Sequence, residues 1–397
     1  AEDGRKMAKS RKNYPDPTEI LDEFGADALR AYMINSPVLR AEPLRFSRDG
    51  VRHIVRTVLL PLWNSYSFFT TYAEADGLSI EDLASAAPLD ERAEIDRWIL
   101  SVLQSLVRTV NREMERYRLY AVVPPILNFI ADLTNWYIRR SRRRFWSQRG
   151  VSDDEDKLSA FATLYEVLVN FSKIAAPVLP FITEEIYQTL VKDLDRDAPD
   201  SVHHTDYPLV RADMIDEDLE YQMSVVRDVV NLGHGLRKRY ELKVRQPLSS
   251  LTVVTIDAAA IKAVQSHRAL ISEELNVHEI QLKNSEEHLV TLSAKANFKT
   301  LGPRFGNRTG EIAKAIASLI HDDVENLVSG STIELAGETI GAEDIIVNRE
   351  AMPGVVVATD ARFSVALDPF IDNALRSEGI AREIINRVQA LRRDTGL

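Results

Sequence analysis

The chain contains no cysteine. Disulfides are excluded, and so is any zinc site built on thiolates. Aromatic residues are sparse, at 7%, with only 4 Trp, so the placing of each tryptophan carries information. No apolar run approaches the roughly 20 residues that a membrane-crossing helix needs, and the first residues show no secretory pattern. No internal repeat or low-complexity tract occurs. What remains, 45% hydrophobic and 27% charged over 397 residues, is the composition of a globular protein with material for two or three domains. A cytoplasmic monomer without a membrane partner is the expectation.

The net charge is −11, which repels nucleic acid as a whole. Its distribution is uneven, however. Residues 1–150 carry 23 Lys and Arg against 20 Asp and Glu, whereas the rest carry 26 against 40. Only a local basic face could recruit a polyanion.

The first such face is the opening stretch, where Arg5, Lys6, Lys9, Arg11 and Lys12 crowd around Gly4 and Ser10. A loop of this kind can close over polyphosphate and neutralise charge that moves onto departing pyrophosphate. On residue chemistry alone a solvated basic terminus is the commoner reading of such a segment. The second is Asn135–Trp146, with Arg139, Arg140, Arg142, Arg143 and Arg144. At 100° per residue, Ile138, Ser141 and Phe145 share one side of a helix. Arg139, Arg140, Arg143 and Arg144 fan over the other, with Trp136 at its centre. From Leu133 to Gly150 there is no acidic residue, so the arginines lack local partners. Guanidinium groups pair with phosphates and an indole stacks on an unpaired base; a solvated charged face is the alternative. A third basic patch runs through Arg237, Lys238, Arg239, Lys243 and Arg245, where a domain linker is an equal reading. The His203-His204-Thr205-Asp206 cluster reads as a polar loop, because adjacent histidines point to different sides; no metal site is expected.

Local signals divide the chain into a helical part and a mixed part. Asp16-Pro17-Thr18-Glu19 is a helix start, with Asp16 as cap, Pro17 in the first turn and Glu19 completing a capping box. Gly25 breaks this helix and Pro37 stops the next. Ser47 caps a long helix that Pro61 should bend, and Ala73–Pro88 reads as a loop. Apolar spacings of three and four recur from Asp90 to Tyr240. After Pro247, β-branched runs at 251–256, 277–283, 288–293, 332–335 and 355–367 predict strands. Helices are expected at 260–274, 308–321 and 372–393. The predicted fold is mainly α: an antiparallel helical bundle followed by a smaller α+β domain.

Lys6-Met7-Ala8-Lys9-Ser10 resembles the KMSKS signature loop of class I aminoacyl-tRNA synthetases, with Ala8 in place of the first serine. Asn13-Tyr14-Pro15-Asp16-Pro17 is similar to the isoleucyl family of eukaryote- and archaeon-like type. The strings Gly25–Tyr32, Asn135–Trp146, Arg245–Leu248 and Ser377–Glu383 resemble the same family. The resemblance implies an enzyme that makes isoleucyl-adenylate from isoleucine and ATP with magnesium, then esterifies tRNA(Ile). This chain is then expected to be an excised piece, inactive alone, with the nucleotide-binding fold and editing domain before residue 1. It implies a signature loop and connector at 1–50, a helical anticodon-binding domain at 51–248 and an α+β domain at 249–397. ATP falls to Lys6, Lys9 and Ser10. The expected tRNA contacts are Trp136, Arg139, Arg140, Arg143, Arg144, Lys243 and Arg245. No structural zinc is expected.

Overall fold

The computed structural model describes residues 14–147, 154–286, 289–328, 330–352, 354–360 and 362–395. The signature-like residues Lys6, Lys9 and Ser10 lie outside them. The chain divides into two compact units between Glu220 and Tyr221.

The first unit is helical. It contains α1 (Pro17–Phe24), α2 (Ala26–Ile34), α3 (Arg48–Ile54), α4 (Leu60–Ala75), α5 (Ile80–Ala84), α6 (Glu94–Glu115), α7 (Val123–Asp132), α8 (Arg139–Trp146), α9 (Asp154–Ala175) and α10 (Pro180–Tyr187). The start of α1 follows its sequence signal: Asp16 accepts the Thr18 N–H at 2.8 Å, and Gly25 closes the helix at φ 80°. Glu19 makes no capping box. It lies 3.3 Å from Arg48 instead, because a long-range cation competes successfully with the helix end. The expected loop at 73–88 contains α5, which Ser79 and Asp82 cap reciprocally.

Helix α9 is the centre of this unit, packed by α4, α5, α6, α8 and α10. Its Phe161, Leu164, Val167, Leu168 and Phe171 are fully buried. Phe145 of α8 sits between Phe161, at 4.7 Å between ring centroids, and Phe68 of α4, at 5.0 Å. Edge-to-face contacts of this kind add to the burial of each ring.

Asp27 of α2 explains how the connector-like segment is held. Pro180 begins α10, and the next two N–H groups, of Phe181 and Ile182, have no partner within the helix. They donate to the two Asp27 carboxylate oxygens at 3.2 and 2.8 Å. The carboxylate also meets the positive end of the helix dipole. Arg30 donates to the Pro177 carbonyl at 2.7 Å from the same side.

The second unit takes all but the first turn of α11 (Glu217–Arg239), which is followed by β1 (Leu248–Val254), α12 (Ala258–Ser266), α13 (Arg268–Leu275) and β2 (Val277–Lys283). β1 and β2 pair in parallel, as a helical crossover requires. The expected single helix at 260–274 is interrupted at His267. Then come β3 (Val290–Ala296), α14 (Phe298–Phe305), α15 (Thr309–Ala317), α16 (His321–Val328), β4 (Ile333–Leu335), β5 (Glu338–Ile340), β6 (Ile345–Ala351), β7 (Val356–Thr359), β8 (Ser364–Leu367) and α17 (Asn373–Asp394). The run 355–367 is a hairpin of β7 and β8, not one strand. The main sheet has the order β2-β1-β8-β7, beside the ladders β3-β6 and β4-β5.

Arg237 holds this unit together. It was expected as part of a basic surface patch but is 1% exposed. No carboxylate among the described residues pairs with it. Its guanidinium donates to the Leu275 carbonyl at 2.6 and 3.0 Å, to Asn276 at 3.0 Å, and to Lys243 and Gln246 at 2.9 and 3.0 Å. Burial pulls its pKa down to about 10. Gly233, one turn earlier, makes the approach possible: a Cβ there would lie 2.5 Å from the Leu275 side chain. Asn276 takes the left-handed conformation, φ 49°, to end α13, and its amide donates to the Val244 carbonyl at 3.0 Å.

Replacing Arg237 by Met should cost about 3 kcal/mol or more, since several buried carbonyls lose their donor at once. Arg237→Lys should not recover this, because an ammonium cannot reproduce the planar fork. Urea unfolding followed by circular dichroism reads both variants; a wild-type midpoint for either one contradicts the role.

Candidate nucleic-acid interface

The arginine-rich stretch is positioned by three features. Helix α7 runs into a π-helical turn, Leu133–Ile138, and from there into α8. Ile138, Ser141 and Phe145 face inward, at 5%, 1% and 1% exposure, as the spacing predicts. The inward side is then locked by charge. Asp96 near the start of α6 has no exposed surface. Arg144 grips it with two bonds, of 2.9 and 2.6 Å, and donates to Asp156 at 2.8 Å. The Tyr137 hydroxyl lies 2.8 Å from Asp96 Oδ1. Burial alone would pull the Arg144 pKa down, but the hydrogen bonds and charges of Asp96 and Asp156 outweigh it and raise it. Burial, then the Asp96 charge, pushes the Tyr137 hydroxyl well above its ordinary range.

Two expectations are therefore corrected. Arg144 is not an outward cation; its acidic partners come from α6 and α9, which a search for acids within 133–150 does not reach. Trp136 is not at the centre of an exposed face but is 7% exposed. The wide π-helical turn adds a residue to the circuit, so a count at 100° per residue slips out of phase. The Arg139 guanidinium lies 5.7 Å from its ring, and Arg139 Nε donates to the Asn135 carbonyl at 2.6 Å.

The outward side of α8 carries Arg139, Arg142 and Arg143, all exposed, with Arg140 half-buried. Arg142 and Arg143 make no ion pair among the described residues. At the end of α8 the Trp146 indole is exposed, at 53%, with Tyr72 at 6.4 Å between ring centroids. In the second unit, Lys243 and Arg245 are exposed, and Arg245 lies 3.6 Å from Glu383. Sequence reasoning placed Trp146 and Arg142 within the basic stretch but assigned neither a contact. A helical count restarted after the π-helical turn finds them.

Residues 96–254 match the family model for the anticodon-binding domain of tRNA ligase, and residues 1–45 match the model for class I tRNA synthetases (I, L, M and V). The chain is 48% identical over 99% of its length to the isoleucine–tRNA ligase of Chlamydia muridarum. It is 45% identical over 100% to that of Chlamydia trachomatis serovar D, and 39% identical over 100% to that of Treponema denticola. The chain spans only 37%, 38% and 37% of these relatives.

Removing Arg144 strands a buried carboxylate, so Arg144→Met should destabilise the helical unit by about 3–5 kcal/mol. Trp136→Ala should cost a similar amount through the void it leaves, about 3–5 kcal/mol. Arg143→Ala should leave the melting curve unchanged. Thermal melts of the three variants test the division between structural and surface residues; an Arg143 variant that melts early, or an Arg144 variant that does not, reverses it.

Proposed function

We propose that this chain is the tRNA-recognising part of an isoleucine–tRNA ligase, which activates isoleucine with ATP and esterifies it to tRNA(Ile). The observation that carries the reading is the identity of 48% over 99% of the chain. It spans the arginine helix, the connector and the mixed unit alike, so it is not the likeness of one shared module. The helical match at residues 96–254 contains the outward arginines of α8, which supply a cationic surface on an otherwise acidic chain. The whole-length likeness disfavours a free-standing RNA-binding module or a protein-interaction scaffold.

In this reading residues 1–50 are the signature loop and connector, 51–248 the anticodon-binding domain and 249–397 an appended α+β domain. Lys9 neutralises the pyrophosphate as it leaves, with Lys6 and Ser10 assisting. ATP and magnesium belong to the complete enzyme. The string Asn13–Pro17 supports the eukaryote- and archaeon-like sequence type, although the relatives named above are bacterial. Transfer RNA is met by Arg139, Arg140 and Arg143 on α8 and, separately, by Lys243 and Arg245. Trp136 and Arg144 contribute by holding α8 in place.

The isolated chain should bind tRNA and show no isoleucine-dependent pyrophosphate exchange, because lysines alone cannot bring amino acid and ATP into line. Filter binding at several salt concentrations should give a steep loss, by roughly 0.7–0.9 log units per log unit of salt for each phosphate contacted. Arg139→Ala and Arg143→Ala should each flatten that slope by about one contact. Equal affinity and slope in both variants would move the interface away from α8. In the complete enzyme, Lys9→Ala should slow adenylate formation by roughly 10²-fold or more while leaving tRNA affinity nearly intact; single-turnover rates within a few-fold of wild type exclude the assignment.

A further inference from the structure

A cleft of about 550 Å³ opens between α4 and the α7–α8 segment, and its lining includes Arg56, Asn64, Phe68, Thr134, Asn135 and Arg142. Its volume lies within the range of sites that take a small ligand. No acidic residue among the described ones lines it. Arg56 and Arg142 are both exposed and make no ion pair among the described residues. The contrast with the preceding turn is direct: Arg52 pairs with Glu23 at 3.1 Å. Both guanidinium groups line one cleft, a local concentration of positive charge in a chain of net charge −11, and such a place attracts an anion.

The walls explain the opening. Each is interrupted by a π-helical turn, Val55–Leu59 on one side and Leu133–Ile138 on the other. Pro61, itself in the lining, has no N–H to return to the preceding turn, and the turn before it widens. Widened turns of this sort recur at functional sites. The hydroxyls do not serve as donors to a guest: Thr57, Ser65 and Thr134 donate to carbonyls of their own segments at 2.8, 2.9 and 2.8 Å. The guanidinium groups and the side-chain amides of Asn64 and Asn135 remain. The first match a phosphate and the second offer paired donor and acceptor to a base edge. Arg56 and Asn64 fall between the two segments matched by family models, which end at residue 45 and begin at residue 96.

We propose that this cleft seats one nucleotide of bound RNA, its phosphate bridged by Arg56 and Arg142 and its base against Asn64 and Asn135. The proposal rests on the reading that the chain binds tRNA. It adds a second contact region, on the face of α8 where Arg142 lies, to the arginines already assigned.

The test is phosphate-ethylation interference with an isoleucine tRNA transcript and the 397-residue chain, alongside filter binding across salt. Wild type should show a phosphate whose ethylation blocks binding. In Arg56→Ala and in Arg142→Ala that interference should vanish. Affinity should fall about tenfold in each, and the salt slope should flatten by roughly 0.7–0.9. Arg56→Lys keeps the charge and should retain most of the slope. Asn64→Ala should lose affinity several-fold with the slope unchanged. If the wild-type chain binds tRNA but both alanine variants keep its affinity, slope and interference pattern, the cleft is not a nucleotide site and the tRNA reading stands. If the wild-type chain binds no tRNA, that reading fails and the cleft proposal with it. Melting curves of the variants should match wild type, since neither arginine has an ion-pair partner among the described residues to lose; an early melt in both, with the interference retained, assigns them to the fold instead.

Discussion

A single buried carboxylate governs the helical unit. Asp96 has no exposed surface, and an ionised carboxylate without water is tolerated only when paired and fully bonded. Its location in the first turn of α6 supplies part of the compensation through the helix dipole. Arg144 and Tyr137 supply the rest. Because Arg144 also reaches Asp156, one guanidinium ties α8 to both α6 and α9. The outward direction of Arg142 and Arg143 follows from that tie. Their neighbour on the same helix is committed to the interior, so the rotation of α8 is fixed.

Much of the fold was legible because it is set by local chemistry. Asp16, Ser47 and Gly25 act within a few residues of themselves, and their caps lie where the sequence places them. The inward side of α8 was equally readable, since Ile138, Ser141 and Phe145 share a face. What escaped was non-local. Asp27 caps a helix that begins more than 150 residues later, and no local window contains both partners. The π-helical turns were invisible for a different reason: they change the period itself, and Trp136 was misplaced because a constant period was assumed. The strands β5 and β6 were missed because short or mixed-polarity segments carry no alternation to count.

The arginines make the same point about the candidate site. Arg144 is paired with carboxylates, Arg237 is enclosed by carbonyls, and Arg142 and Arg143 stand in solvent. In sequence they are one residue type in basic surroundings. Their fates are set by what other segments bring near them, so a run of arginine marks a place to look and does not by itself mark a binding face. Composition locates positive charge; burial decides whether that charge is available.

The cage around Arg237 has a further consequence for ionic strength. Mobile ions screen charge–charge attraction between exposed groups, but a buried cation held by carbonyl dipoles offers them nothing to displace. Added salt that weakens the pairing of exposed charges leaves this joint as tight as before. Within the second unit, ionic strength therefore weakens exposed pairs such as Arg245 with Glu383 without loosening the joint between α11, the β1 entry and α13.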